Sequence, residues 1–299
     1  MARQLGRPPA GVQVGIGDDT AVIRWTARKH LLFASDMLVE GVHFRLPRHG
    51  RGLGRGQGAV APRWIGWKAL AANVSDIASM GGLPRYAVVS LGLPARTPVA
   101  VVDQLYQGLA RCATRFTMAV VGGDTVRAPQ LVIDVAILGT VLKSQLALRS
   151  GARTGDQVFV TGRLGGSLIS GRHATFVPRI EQAQWLVRHV PIGAMMDLSD
   201  GLASDLWQLA RSSRVTFQID ESRIPVSRAG KTTWHALMDG EDYELLFTVS
   251  ARAAARVPRS IAGVPVTRIG TVTGRGAGVF LVEKRGRIRR IGPQGYQHF

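Results

Sequence analysis

A single cysteine, Cys112, stands in the 299-residue chain. It can form no intrachain disulfide and no multi-thiolate zinc site, which fits a reducing compartment, and it reads as small buried packing. No run approaches the roughly 18 apolar residues of a membrane span, and the opening MARQLGRPPAGVQ has no apolar signal-peptide stretch. Neither a membrane span nor a secretory signal is expected, and the cytoplasm is the expected compartment. Lysine is scarce, at five of 38 basic residues. Against 20 acids these give a net charge of +18, which by itself suggests a polyanionic partner. The arginines are scattered, however, with small clusters only at Arg45 to Arg63 and Arg285 to Arg290, and no basic stripe is interleaved with aromatics. Dedicated nucleic-acid binding is therefore not expected. The G-x-x-x-x-G-K-[ST] pattern is missing as well, which excludes a P-loop nucleotidase. Apolar material is plentiful: 45% hydrophobic residues and a mean hydropathy of +0.09 support a globular core, and the length suits two domains.

Glutamate is also scarce, at 6 residues against 14 aspartates. Most of the acids sit in short clusters beside Gly or Ser and against apolar runs: Asp18 and Asp19, Asp36 with Glu40, Asp76, Asp124, Asp197 and Asp200, and Asp239 through Glu244. A solvated face favours scattered Glu and Lys. Short carboxylates at strand ends suit a hard cation, because Mg²⁺ takes oxygen ligands and tolerates little slack in their placement.

Short apolar runs bounded by Gly or charge predict two strands across residues 14 to 46, which puts Asp18, Asp19 and Asp36 at strand ends or turns. Pro47 to Arg63, rich in Gly and Arg, reads as a flexible surface loop. Spacings of three and four from Trp64 to Met80 predict a helix ended by Gly81 and Gly82, with Asp76 in its last turn. A carboxylate is disfavoured there by the helix dipole, which favours cation coordination over a purely structural role. A strand YAVVSLGLP, a helix from Pro98 to Phe116, a strand MAVVGGDTV running into a Gly-Gly-Asp turn and a strand QLVIDVAILGTVL follow. The β-β-α-β-α-β-β order predicts an α+β domain, a mixed sheet with helices on one face. The Gly-rich polar connection RSGARTGD places a boundary near residue 147. Residues 1–147 and 148–299 are then two α+β domains, the second ending in a strand pair. The turn Gly162 to Gly166 resembles a phosphate loop only superficially; a tight strand-to-helix turn is the preferred reading.

Seven segments, GIGDDTAVI, SDMLVEGVHF, GWKALAANVSDIASMGG, VVGGDTVRAP, LRSGARTGDQVFVTGRLGGSL, MDLSDGLASDL and GEDYELLFT, run in order from residue 15 to 248, with GYQHF at the end. Together they resemble the thiamine-monophosphate kinases of the aminoimidazole-ribonucleotide-synthetase superfamily. The resemblance implies direct transfer of the ATP γ-phosphoryl group to thiamine monophosphate, with several Mg²⁺ ions, ATP as co-substrate, no covalent nucleophile and a homodimer built through the N-terminal half. It assigns Asp19, Asp36, Asp76, Asp124 and Asp197 to the magnesium cradle, with Asp18 and Ser35 beside it and Asp200 on a further ion. Gly123, Asp124, Arg149 and Ser199 resemble ATP contacts. His43 and Glu241 resemble contacts to the thiamine phosphate, and Pro293 stands where the family often has a stacking aromatic, so that stacking falls to Tyr296 or Trp234. An ATP-dependent synthetase of the same superfamily is the alternative; the GVHF and GEDYELLF segments favour the kinase.

The residues also admit plainer roles. Asp134 reads as a surface or interface residue, Asp205 as a salt-bridge residue, and Asp239, Asp242 and Glu244 as caps of their turn. His43 can be a packed strand histidine. Two further departures from the family stand out: the chain begins close to GIGDD, short of the family's leading helix, and the Pro47 to Arg63 loop is longer and more basic than usual.

Overall fold

The computed structural model describes residues 9–47 and 59–296, so most of the Gly/Arg-rich segment and the last three residues lie outside it. The first half forms one six-stranded mixed sheet. Its strands are β1 (Val12–Val14), β2 (Ala21–Arg24), β3 (Lys29–Val39), β4 (Leu83–Leu93), β5 (Ala119–Arg127) and β6 (Val132–Leu142), in the spatial order β1-β2-β3-β6-β4-β5. Helices α1 (Pro62–Ser79) and α2 (Val99–Arg115) pack against it.

The second half builds an eight-stranded sheet from β7 (Gln157–Thr161), β8 (Ile192–Asp197), β9 (Val215–Asp220), β10 (Leu245–Val249), β11 (Ser260–Ile261), β12 (Val264–Arg275), β13 (Gly278–Val282) and β14 (Ile288–Arg290). Its path runs β14-β13-β9-β12-β7-β10-β8, with β11 paired to β12. Four strands, not two, close the chain. Its helices are α3 (Ser167–Ser170), α4 (Arg172–Thr175), α5 (Ile180–His189), α6 (Leu202–Ser213), α7 (Thr233–Met238) and α8 (Ala251–Ala254). Among the described residues no helix is long and apolar enough to cross a membrane. Cys112 is buried on α2.

Helix α1 joins the two halves. Its sequence is apolar all round, and 15 of its 18 residues are buried, the pattern of a helix with protein on every side. One side meets β3 and β6; the other meets α4, α5 and β8. The central strands of the second sheet are correspondingly buried on both faces. By strand alternation, Phe159, Met195, Leu245 and Phe247 join the core around α1, while Val158, Val160, Met196 and Leu246 join a second core against α6. That parity carries a consequence for the site: Asp197, next after Met196, is delivered to the α1 side.

Two strands run further than the sequence suggests. Asp36 lies inside β3, paired opposite Val135, because β3 and β6 pair along eleven consecutive positions. Asp124 likewise lies within β5, because the parallel pairing with β4 continues past the two glycines to Leu93 and Arg127. Only Asp18 and Asp19 occupy a turn, between β1 and β2.

Candidate active site

The C-terminal turn of α1 is the hub of an acid cluster. Ser75, Asp76 and Ser79 share one end of the helix, since positions one and four apart on a helix are close in space. The Ser75 hydroxyl donates to Asp197 Oδ2 at 2.6 Å, and the Ser79 hydroxyl donates to Asp19 Oδ2. Asp76 stands between them, and carboxylate oxygens of Asp19, Asp76 and Asp197 all lie within 4.8 Å of one another. Arg149, in the connection between the two sheets, donates from Nε to Asp19 Oδ1 at 2.9 Å and pairs with it again through Nη2. The Arg149 backbone N–H donates to Asp18.

One arginine cannot balance so many buried carboxylates. Burial, with Asp19 close by, pushes both Asp18 and Asp36 up to about 6. Burial and the Asp19 charge take Asp197 to about 8. Asp76 is driven well above the ordinary aspartate range by burial and by Asp36, Asp197 and Asp19. Such a cluster holds protons or a cation, since like charges at this spacing resist joint ionisation. Its all-oxygen donor set fits a hard divalent ion.

The structure gathers some of the sequence candidates here and sets others apart. Asp18, Asp36, Asp76 and Asp197 all feel the charge of Asp19, which Arg149 pairs with, and Asp200 acts electrostatically on Asp36. Asp124 is not part of the compact triad. It stands on β5, three strands from β3, which at about 4.8 Å per strand is about 14 Å. In register it shares a row with Met37, Asp134 and Ser90, the sheet face away from α1, and its Oδ1 accepts the Thr125 N–H. Ser35 is on that outer face too, donating to Asp134 at 2.9 Å. Gly123 is required for backbone reasons: its φ is +154°, and a Cβ there would come within 1.8 Å of the Val89 carbonyl oxygen.

Residues 239–244 divide sharply in role. Asp239 and Asp242 accept the N–H groups of Gly166 and Gly165, so those amides hold protein carboxylates, and the Gly-rich turn is structural. Glu244 is buried between Arg179, Arg172 and Thr161. Glu241 points elsewhere, to Lys68 at 2.5 Å. Its backbone N–H donates to the Ser199 carbonyl, placing it beside the β8 end that carries Asp197. Burial opposes the charge, yet His173 and Lys68 hold the Glu241 carboxyl below the usual range. His43 Nδ1 accepts the Val39 N–H, so the neutral ring carries its proton on Nε2. Pro293 is on the exposed tail, and Tyr296 donates its N–H to the Asp200 carbonyl.

Asp205 forms no ion pair among the described residues. It is buried on α6; Oδ2 accepts the Asp200 N–H and Oδ1 has no partner, so the salt-bridge reading does not hold. The sequence reading also passed over Ser75, Ser79, Lys68 and His173. The serines were visible as helix-spaced neighbours of Asp76. Lys68 was visible as one of five lysines, set in the apolar run WIGWKALAANV.

The family models for AIR synthase related protein, N-terminal and C-terminal domains, match residues 17–141 and 153–283. The thiamine-monophosphate kinase of Rhodopirellula baltica is 38% identical, covering 96% of this chain and 92% of that protein. The chain belongs to the thiamine-monophosphate kinase family. The Bacillus subtilis thiamine-monophosphate kinase is 34% identical over 97% of the chain and 94% of its own length. The solved structure of AaThiL complexed with AMPPCP and TMP superposes with a TM-score of 0.81 at 33% identity, covering 95% of this chain and 92% of that one.

Proposed function

We propose that the protein transfers the terminal phosphoryl group of ATP to the phosphate of thiamine monophosphate, giving thiamine diphosphate. Family membership supports the reaction, and the observation that carries the site is the buried triad Asp19, Asp76 and Asp197 on the α1 hub. Joining two anionic phosphates requires cations and positioning more than a covalent nucleophile. Asp18, Asp19, Asp36, Asp76 and Asp197, with Asp200 at the margin, would hold Mg²⁺, which when bound neutralises phosphate charge; the Ser35 hydroxyl is on the other face of β3. Burial raises the Asp19 carboxyl above the ordinary aspartate range and the Arg149 charge opposes that rise; the planar guanidinium has further donors suited to phosphate oxygens. Gly123, Asp124 and Ser199 complete the ATP contacts. His43, with its proton on Nε2, is a donor for the acceptor phosphate. Ionised Glu241 suits the cationic thiazolium and amino group of thiamine, and Pro293 and Tyr296 lie on the tail that bonds the Asp200 carbonyl.

The working unit in this reading is a homodimer, with the halves dividing near residue 147 and the nucleotide site completed by both. The outer face of the first sheet exposes Phe33, Met37, Tyr86 and Val88, from 41% to 54% each, an apolar patch that water does not favour. Covering it with a second copy would also bury Asp124, on that same face, in the interface. The enzyme is placed in the cytoplasm.

Purified protein incubated with ATP, Mg²⁺ and thiamine monophosphate will yield thiamine diphosphate by chromatography. Conversion of unphosphorylated thiamine at the same rate would overturn the acceptor assignment. Light scattering at micromolar concentration will give twice the 32.2 kDa chain mass; a monomer refutes the dimer.

A further inference from the structure

Lys68 has no exposed side-chain surface, and it stands in the middle of the most buried helix of the fold. Its ammonium donates to the His43 carbonyl at 2.9 Å and to Glu241 Oε1 at 2.5 Å, and His173 Nδ1 lies 3.2 Å from both the ammonium and Glu241 Oε2. A lysine suits acceptors that converge on one atom, whereas the flat fork of an arginine would not fit that convergence. The two acceptors come from the chain after β3 and from the turn before β10, so one atom ties together both halves of the molecule.

The carboxylate it holds sits on a strained backbone. Glu241 has φ +62° and Tyr243 has φ +50°, conformations that L residues adopt only when the surroundings impose them. The turn is pinned on the Ser199 carbonyl by the Glu241 N–H and on the Ser167 hydroxyl through the Glu241 carbonyl, at 2.6 and 2.7 Å. A buried lysine–carboxylate pair is a weak source of stability, because desolvating two charges offsets most of their attraction. Strain and a buried pair at one point indicate that geometry, more than stability, is being held.

We propose that Lys68 is a positioning residue for the acceptor substrate, fixing the His43 backbone and the Glu241 carboxylate from a single buried atom. The inference rests on the reading of His43 and Glu241 as acceptor contacts. Lys68 itself stays inside the core and acts through those two groups, with His173 beside the Glu241 carboxylate.

Steady-state kinetics of Lys68→Met, Glu241→Gln and the double variant test it, with KM measured separately for thiamine monophosphate and for ATP. The expected result is a rise of about tenfold or more in acceptor KM for Lys68→Met, with ATP KM within about twofold of wild type. Glu241→Gln should move in the same direction, and the double variant should be no worse than the more affected single, because both changes act through one contact. An unchanged acceptor KM in folded Lys68→Met, equal rises in both KM values, or additive effects would overturn the proposal. Should Lys68→Met fail to fold, Lys68→Gln, which keeps a donor for the His43 carbonyl without the charge, carries the same comparison. Failure of both to fold makes Lys68 a stability residue and also overturns it. An unchanged acceptor KM in Glu241→Gln refutes instead the acceptor-contact reading on which the proposal rests.

Discussion

Replacing Asp76 by Asn separates a cation cradle from a structural helix cap by giving opposite signs in two measurements. Asn keeps the shape and one carbonyl oxygen but removes the charge. Asp76 has two carboxylate neighbours, Asp19 and Asp197, with ligand oxygens inside 4.8 Å. At an effective dielectric of about 20 each ionised pair at that distance costs about 3.5 kcal/mol. Protonation, favoured by the raised pKa of Asp76, already relieves part of this. The recoverable part is about 1–2 kcal/mol, which in a protein of this size raises Tm by about 2–3 °C in the absence of metal. The catalytic effect runs the other way, since a bound divalent ion loses an anionic ligand and the rate falls by about 100-fold or more. Paired thermal melts with and without Mg-ATP, alongside initial rates of thiamine diphosphate formation, read both signs. The variant should be more stable than wild type without ligand and gain less on adding Mg-ATP. A lower metal-free Tm with near-normal rates would refute the reasoning and leave Asp76 as a cap.

The same clustering sets a pH dependence. Asp18 and Asp36 rise from 3.8 to about 6 and Asp197 to about 8 in the native state. The native protein therefore binds more protons than the unfolded chain between these limits, and metal-free stability falls as pH rises from about 4 to about 8. Saturating Mg²⁺ should flatten this slope; urea melts across the window check it, and a metal-free stability that rises with pH contradicts it. Gly123→Ala must displace β5, since its Cβ would lie 1.8 Å from the Val89 oxygen at φ +154°; a loss of several kcal/mol in stability is expected by differential scanning calorimetry, about the scale of other severe backbone conflicts. Phe33→Glu should yield a monomer by light scattering, with activity lost, because it puts a charge in the centre of the outer apolar face; an active monomer would separate dimerisation from the site.

Glu241 and Glu244 look alike in the linear motif GEDYELLFT, yet one anchors a buried arginine clamp and the other faces Lys68. That difference depends on which segments pack against the turn, and none of those segments is near it in sequence. Other features are local and were legible without coordinates. The apolar period of residues 64 to 80, the glycines that end it and the strand runs around Leu31 and Val135 follow from spacing and residue type alone. So does the concentration of short carboxylates beside Gly and Ser, which pointed to a cation before any fold was known. Strand ends were less legible, and Asp36 and Asp124 are inside strands because pairing partners extend β3 and β5 past the point where local propensity weakens.

The residue types, the helical and strand periods and the ordered motifs determined the family and the two-part α+β architecture, and singled out a set of candidate acids. Tertiary structure alone decided which acids meet. Asp19, Asp76 and Asp197 are separated by 57 and 121 positions in the chain, and they converge because α1 is buried between two sheets while strand parity turns Asp197 toward it. Asp124, equally prominent in the sequence, is sent to the opposite face by the same parity. Alternation along a strand is a local property, but which face is covered, and by what, is settled only when the sheets pack.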